Sequence, residues 1–188
     1  LLSPVNDEAV LAAIDRAAPV VQCAEYNERS PLPYVSVDDF AAARNAVHTL
    51  LQRGRRRVAL INGPDKFKYA RQRYLGYAEA LREAGIPVDP SLIFKVTEMG
   101  FDSSFAVARQ LLTAGVRPDA ILATSDMFAA AVVKAASTEG VQIPADCSLI
   151  GFDNTYISMV SHPSVTAVNM PQFQLGYMVC EILADRMV

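Results

Sequence analysis

Tryptophan is absent from this sequence of 188 residues, and histidine and cysteine are scarce. Only two histidines, His48 and His162, and three widely spaced cysteines, Cys23, Cys147 and Cys180, are available. Zinc sites need several closely spaced Cys or His ligands, so the sequence predicts no metal site. An odd number of distant cysteines is typical of reduced thiols in a cytoplasmic protein and argues against a disulfide framework.

Long apolar runs and an excess of basic residues are also missing. No segment approaches the roughly 18 apolar residues of a membrane span, and no signal peptide is recognisable. Lys and Arg number 17 against 20 Asp and Glu, which gives a net charge of -3, whereas a nucleic-acid-binding surface is basic. The basic segment 53–57 is interpreted as a helix end. The sequence thus predicts that this polypeptide binds neither a membrane nor nucleic acid by itself.

Motifs of the common enzyme classes are absent as well. The turn Gly63-Pro64-Asp65-Lys66 lacks the spacing of a phosphate-binding loop, and no strand is followed by the glycine pattern of a dinucleotide site. There is no G-x-S-x-G elbow, and neither histidine has a paired nucleophile. The sequence therefore predicts no cofactor and no catalytic residue. Acid–base chemistry stays an alternative, because Glu98, Asp126 and Asp153 could share one crevice.

What the sequence does contain is a regular alternation of short apolar runs with segments of helical periodicity. For example, apolar residues between Phe40 and Leu51 recur on one helical face, Gly54 follows, and the apolar run 58–61 comes next. Repeated along the chain, this pattern predicts an α/β fold with a parallel, doubly wound sheet. Strands are predicted at 20–23, 34–37, 58–61, 92–96, 120–123, 148–152 and 165–169.

Three of the predicted strands end in polar side chains. The run 148–151 leads into Phe152-Asp153-Asn154, the run 58–61 into Asn62, and the run 120–123 into Thr124-Ser125-Asp126. In open parallel sheets, ligands bind beyond the carboxyl ends of the strands, where helix N-termini also point. The sequence therefore predicts a ligand crevice at these strand ends.

The charged candidates for this crevice each have two interpretations. Asp153 either contacts a ligand or shapes a turn, and Asp126 is either a helix N-cap or a ligand group. Arg73 lies near the start of a predicted helix, where a cation gains nothing from the helix dipole. It is either solvated or directed into the crevice.

Four further side chains, Phe67, Tyr69, Met99 and Phe101, lie in the loops after two strands. Each of them could belong to the core. As a set at strand ends, they favour a cleft that covers a ring-shaped ligand.

In these segments the sequence resembles the core domain of bacterial transcription regulators of the lactose-repressor (LacI/GalR) type. The resemblance covers nearly the whole chain and depends on the order and spacing of several motifs together. They are 35–39 (VSVDD), 51–64 (LQRGRRRVALINGP), 73–81 (RYLGYAEAL), 118–121 (PDAI), 125–130 (SDMFAA), 143–146 (IPAD) and 148–154 (SLIGFDN).

The resemblance implies a periplasmic-binding-protein-like fold of type I, with two doubly wound parallel-sheet subdomains and an effector cleft between them. The implied subdomains are residues 1–54 plus 169–188 and residues 55–168. Because Leu1-Leu2-Ser3 resembles the end of a strand and the last helix stops at Val188, we expect a core that is truncated at both ends.

The family's effector contacts correspond to Asp38 on the first subdomain and Arg73, Ser125 and Asp153 on the second, with Tyr69 and Met99 facing a ring. Phe67 and Tyr69 stand where many relatives have a polar or basic residue, which favours a nucleoside, a purine or an aryl sugar. The complete predicted ligand-binding set is Asp38, Phe67, Tyr69, Arg73, Met99, Phe101, Ser125, Asp126 and Asp153.

The resemblance also implies a function: the effector-sensing and dimerisation core of a cytoplasmic transcriptional repressor. Operator DNA would be bound through an N-terminal helix-turn-helix that this chain does not contain, and a homodimer is expected. One alternative is an extracytoplasmic solute-binding protein of the same fold, and another is an enzyme that uses Asp126 and Asp153 as acid and base. The unpaired cysteines and the ending Gly-Phe-Asp-Asn at 151–154 favour the regulator.

Overall fold

The computed structural model describes residues 1, 5, 7–115 and 117–187. Two residues of the expected strand end, Leu2 and Ser3, lie outside the described residues. The chain forms two compact units, the first comprising Leu1–Asp38, Phe67–Tyr69 and Pro171–Val188, the second Asp39–Lys66 and Ala70–Met170. Within the described part of the chain, no helix combines the length and apolar character that a membrane crossing requires.

The first unit contains a two-stranded parallel sheet and two helices. Strand β1 pairs with β2 in the register Gln22 to Tyr34 and Cys23 to Val35. The core is small, with Cys23, Val35 and Leu175 buried, and Val179 and Ile182 on the last helix packed against them. The elements are α1 (Glu8–Ala17), β1 (Gln22–Cys23), β2 (Tyr34–Val35) and α7 (Gln172–Asp185).

The second unit is a five-stranded parallel sheet in the order β4-β3-β5-β6-β7. Its remaining elements are helices and one short 3-10 segment, Pro90–Leu92. The elements are α2 (Asp39–Gln52), β3 (Val58–Asn62), α3 (Lys68–Glu83, from Ala70 onward in this unit), β4 (Ile93–Lys95), α4 (Phe101–Thr113), β5 (Ala120–Ala123), α5 (Asp126–Glu139), β6 (Ser148–Asp153), α6 (Tyr156–Val160) and β7 (Thr166–Asn169).

Helices cover both faces of this sheet, because successive strand residues point to opposite sides. In β3, Val58 and Leu60 pack in one core with residues of α2 and α3, whereas Ala59 and Ile61 pack in the other with residues of α4 and α5. All five β3 residues are buried, as expected for a central parallel strand. The predicted doubly wound α/β architecture is confirmed, and each predicted strand is present within two residues at either end.

Helix α2 accounts for the main difference between the compact units and the predicted subdomains, 1–54 plus 169–188 and 55–168. Its apolar face, with Ala43, Val47 and Leu50, shares a core with Tyr77 and Leu81 of α3. The packing of this face groups α2 with the second unit, although the resemblance assigned it to the first subdomain.

The order of the strands identifies where a ligand can approach the second unit. The chain runs from β3 to β4 on one side of the sheet and then to β5 on the other side of β3. Neighbouring strand ends are least covered at such a change of direction, and ligands of open α/β sheets bind there. The carboxyl ends of β3 and β5 therefore mark the candidate site.

Candidate functional site

The ends of β3 and β5 are joined by buried polar side chains. Thr124 Oγ1 donates a hydrogen bond to Asn62 Oδ1 at 2.9 Å. Asn62 Nδ2 in turn donates to the carbonyl oxygen of Ala70 at 2.8 Å. Because both side chains are buried and each of these groups has a partner, the first part of α3 is fixed against the sheet.

Arg73 projects from α3 to these strand ends and is only 4% exposed. Its Nε and Nη2 lie 2.9 and 2.8 Å from Asp39 Oδ1, and its Nη1 donates to the Thr124 carbonyl at 2.6 Å. The guanidinium carbon lies 3.9 Å from the centre of the Phe152 ring. Of the two interpretations, solvation of Arg73 is excluded, because the cation is buried, paired and stacked.

Asp153 is the carboxylate that lies beside this cation at the end of β6. Its Oδ1 is 4.0 Å from Arg73 Nη1, and its side chain keeps 31% of its surface exposed. Burial raises the pKa of Asp153 above its usual range, and the Arg73 charge opposes this shift. A partly exposed acceptor next to a fixed cation is suited to receive hydrogen bonds from the hydroxyl groups of a ligand.

Ser125 and Asp126 are adjacent in sequence, and the N-cap role that was considered for Asp126 belongs to Ser125. Ser125 is the N-cap of α5, where its Oγ accepts from the Phe128 N–H at 3.2 Å. Asp126 therefore does not cap the helix. Its Oδ2 accepts from the backbone N–H and the hydroxyl of Thr155, at 2.5 and 2.8 Å. The Ser125 hydroxyl can still donate a hydrogen bond to a ligand.

The predicted ring-facing side chains lie in both units. In the first unit, the Phe67 and Tyr69 rings stack with their centres 5.6 Å apart, and Glu25 accepts from the Tyr69 N–H at 2.7 Å. In the second unit, Met99 is 53% exposed and Phe101 is 45% exposed. Burial in a core, the alternative interpretation, is therefore excluded for Met99 and Phe101.

Three residues that contact Arg73 were not in the predicted ligand-binding set. Asp38, the predicted acidic contact, is exposed at the end of the first unit, whereas its neighbour Asp39 is buried and pairs with Arg73. Thr124 and Phe152 also contact the guanidinium. The motif VSVDD did signal an acidic residue here, although two adjacent aspartates cannot be distinguished without the packing of α2.

Comparison with known proteins adds an independent line of observation. The family model described as a periplasmic binding protein-like domain matches residues 47–188. The HTH-type transcriptional repressor CytR of Escherichia coli is 32% identical over 169 residues, which cover 90% of this chain and 49% of CytR. The chain spans about half the length of the curated relatives it matches.

Two solved structures have closely similar folds. A regulatory protein of the LacI family from Chloroflexus aggregans aligns with a TM-score of 0.86 at 29% identity, covering 95% of this chain and 64% of that protein. The complex of the transcriptional regulator CelR with cellobiose aligns with a TM-score of 0.85 at 29% identity, covering 98% of this chain and 58% of CelR.

Proposed function

Since this chain belongs to the periplasmic binding protein-like domain family, in the form found in LacI-type transcription regulators, we propose that it is the effector-sensing and dimerisation core of a cytoplasmic repressor. Its relatives are transcription regulators, which favours this function over an extracytoplasmic solute-binding protein and over an enzyme. The observation that carries the proposal is the buried Arg73 held 4.0 Å from the partly exposed carboxylate of Asp153 at the switch point of the sheet.

The proposed effector is a small, near-neutral molecule that combines a ring with several hydroxyl groups: a nucleoside, a purine or a sugar. Asp153 supplies acceptors, Ser125 supplies a hydroxyl, and the exposed Met99 and Phe101 supply apolar surface for a ring. The solved CelR complex contains cellobiose, a ligand of this kind. The other predicted contacts that belong to this proposal are Asp38, Phe67, Tyr69 and Arg73.

The proposed partners of the whole protein are a second copy of itself and operator DNA. DNA would be bound through a helix-turn-helix that lies outside this chain, as the name of CytR, an HTH-type repressor, suggests. This chain, with its net charge of -3, would contribute effector binding and dimerisation instead. Sequencing the gene upstream of the Leu1 codon tests this proposal. A helix-turn-helix found there would support the regulator, and a signal peptide would support the solute-binding alternative.

Calorimetry with adenosine, adenine, cellobiose and an aryl glucoside tests the effector class. We expect saturable binding of at least one of these compounds by the wild-type chain. Asp153→Ala should weaken that binding by about 1.5–3 kcal/mol for each hydrogen bond lost, because the bonds involve a charged acceptor. The matched control is Asp185→Ala, which removes an exposed aspartate of α7 and should leave the affinity unchanged.

Arg73→Lys provides a second test of the same site. Three nitrogens of the guanidinium are engaged by Asp39 and Thr124, and a single ammonium group cannot reproduce that arrangement. We expect Arg73→Lys to lose effector affinity to nearly the same extent as Arg73→Ala. Full affinity in the lysine variant, or binding of peptides and lipids in place of the four compounds, would contradict the proposed function.

A further inference from the structure

The turn that follows β6 has an unusual backbone conformation. Asp153 has φ of +91° and Asn154 has φ of +55°, so two consecutive non-glycine residues lie in the left-handed region. This region is unfavourable for residues with a Cβ and persists only where surrounding contacts impose it. The orientation of the Asp153 carboxylate therefore depends on whatever holds this turn.

Asp126 bonds to the turn on both sides of Asn154. Its backbone N–H donates to Asp153 Oδ2 at 3.4 Å, and its own Oδ2 accepts from the N–H and hydroxyl of Thr155 at 2.5 and 2.8 Å. Asp126 is only 2% exposed, whereas Asp153 and Thr155 are partly exposed, so each of these bonds has one partner that is shielded from water. A single residue at the start of α5 thus fixes Asp153 and Thr155 together.

The other carboxylate oxygen of Asp126 faces the sheet. Oδ1 is buried and has no hydrogen-bond partner among the described residues. A Cβ built on Gly151 of β6 would lie 3.4 Å from Oδ1, which places this oxygen next to the strand, and 3.1 Å from the Ala129 Cβ. Oδ1 therefore lies against β6, and Oδ2 carries the hydrogen bonds of the side chain.

We propose that Asp126 is a positioning residue, whose buried carboxylate holds the left-handed turn 153–155 and thereby keeps the Asp153 carboxylate beside Arg73 for effector recognition. The proposal rests on the proposed function, in which Asp153 contacts the effector. It replaces the expectation that Asp126 contacts the ligand directly.

The same bonds extend to helix α6. Thr155 is the N-cap of α6, where its Oγ1 accepts from the Ile157 N–H at 3.3 Å. Asp126 therefore connects the recognition carboxylate Asp153 with the helix that carries Met159 and Val160, two of the most exposed apolar side chains.

The first arm of the test uses no ligand. Amide hydrogen exchange measured by NMR on the Asp126→Ala chain should be about tenfold faster at Thr155 and Ile157 than in the wild type, because the charged acceptor is lost. Asp126→Asn keeps an acceptor oxygen for Thr155 and should retain most of the protection. The matched control, Asp102→Ala in the first turn of α4, removes an exposed aspartate and should change neither amide. Unchanged exchange at Thr155 in Asp126→Ala would overturn the proposal.

The second arm measures the affinities of adenosine and cellobiose by calorimetry. We expect Asp126→Ala to lose about tenfold in affinity for the bound compound, Asp126→Asn to restore most of it, and Asp126→Ala to have little further effect in the Asp153→Ala background. Additive losses in that background would mean that Asp126 acts independently of Asp153, which overturns a positioning role.

The test also gives an answer in two less favourable cases: a wild type that does not bind the compounds, and an Asp126→Ala variant that does not fold. If none of adenosine, adenine, cellobiose and the aryl glucoside binds the wild type, the proposed effector class fails, while the exchange arm and the chemical shift of the Asp153 carboxyl carbon still decide whether Asp126 holds the turn. If Asp126→Ala does not fold, Thr155→Val is used instead. It removes the hydroxyl donor to Asp126 and also the cap acceptor for the Ile157 N–H, so the readouts at Asp153, and not those in α6, test the proposal. A smaller but measurable loss of affinity and a shifted Asp153 carboxyl resonance in Thr155→Val support the proposal, and wild-type values of both contradict it.

Discussion

Arg73 and Asp39 form an ion pair that is almost completely removed from solvent. Arg73 Nη2 lies 2.8 Å from Asp39 Oδ1, and the side chains of Arg73 and Asp39 are only 5% and 2% exposed. Asp39 is the first residue of α2, and Arg73 lies in the second turn of α3. The pair therefore joins two helices and orients the guanidinium that serves the candidate site.

Breaking this pair should be far more costly than breaking an exposed one. Asp39→Ala leaves the Arg73 charge buried without its principal acid partner, and we expect a loss of about 3–5 kcal/mol in the free energy of unfolding. The control is Glu83→Ala, which breaks the 2.8 Å pair with Arg44 between the same two helices, where the side chains are 38% and 28% exposed. That change should have little effect, because solvent screens exposed charges. Urea denaturation of both variants makes the comparison, and equal losses would contradict the expectation.

Most of the fold could be predicted because βα units leave local signals. The β6 strand, predicted at 148–152, is found at Ser148–Asp153, since its apolar run is bounded by polar residues. Helix α6 (Tyr156–Val160) was not predicted, because five residues are too few to show helical periodicity. The grouping of α2 with α3 in one compact unit depends on contacts between residues that are distant in sequence, which local patterns do not show.

The site could be predicted only in part, for a similar reason. The predicted ends of β5 and β6 were enough to identify Ser125 and Asp153. Ligands of open parallel sheets bind beyond the carboxyl ends of the strands, whatever the rest of the sequence. The choice between Asp38 and Asp39 depends on which carboxylate the α2–α3 packing buries. The role of Asp126 depends on its bonds to Thr155, a residue of the helix that the sequence did not reveal.

The raised pKa of Asp153 predicts a specific dependence of stability on pH. Since burial raises this pKa in the folded state, the folded protein binds the Asp153 proton more tightly than the unfolded chain does. The stabilisation from protonated Asp153 is therefore fully present below the ordinary aspartate pKa of about 3.9. It is lost as the pH rises through the raised pKa of the folded state. Asp153→Asn cannot ionise, so its stability relative to the wild type should increase with pH across this interval.

Urea midpoints of Asp153→Asn and the wild type in a pH series provide the measurement. Asp185→Asn is the control, because Asp185 is exposed. Parallel curves for Asp153→Asn and the wild type would contradict this prediction.

Two helical glycines should respond in opposite ways to alanine. A Cβ on Gly76 of α3 would lie 2.2 Å from the Phe40 carbonyl oxygen and 2.9 Å from the Arg44 nitrogen, so the close contact with α2 excludes a side chain. Gly76→Ala should destabilise the protein by about 1–3 kcal/mol or more. Gly176 of α7 has no described atom within 4 Å of such a Cβ, and Gly176→Ala should stabilise it by about 0.5–1 kcal/mol. Thermal unfolding distinguishes the two, and a stabilised Gly76→Ala protein would show that α2 and α3 can separate without loss.

The proposed homodimer predicts a role for the apolar surface of α6. Three of its five residues, Tyr156, Met159 and Val160, are 69%, 68% and 74% exposed. Single exposed apolar residues are common, but a group of them on one short helix is typical of an interaction surface. We expect the full-length protein to sediment as a dimer at micromolar concentration and Met159→Glu to shift it toward monomer, because a charge in an apolar interface is left unpaired.

The control is Leu75→Glu, which places the same charge at a 49% exposed position of α3 and should leave the dimer intact. Equal unfolding temperatures for the isolated chains would show that the shift reflects association and not folding. A wild-type protein that sediments only as a monomer, or a Met159→Glu protein that remains as dimeric as Leu75→Glu, would rule out this surface as the dimer interface.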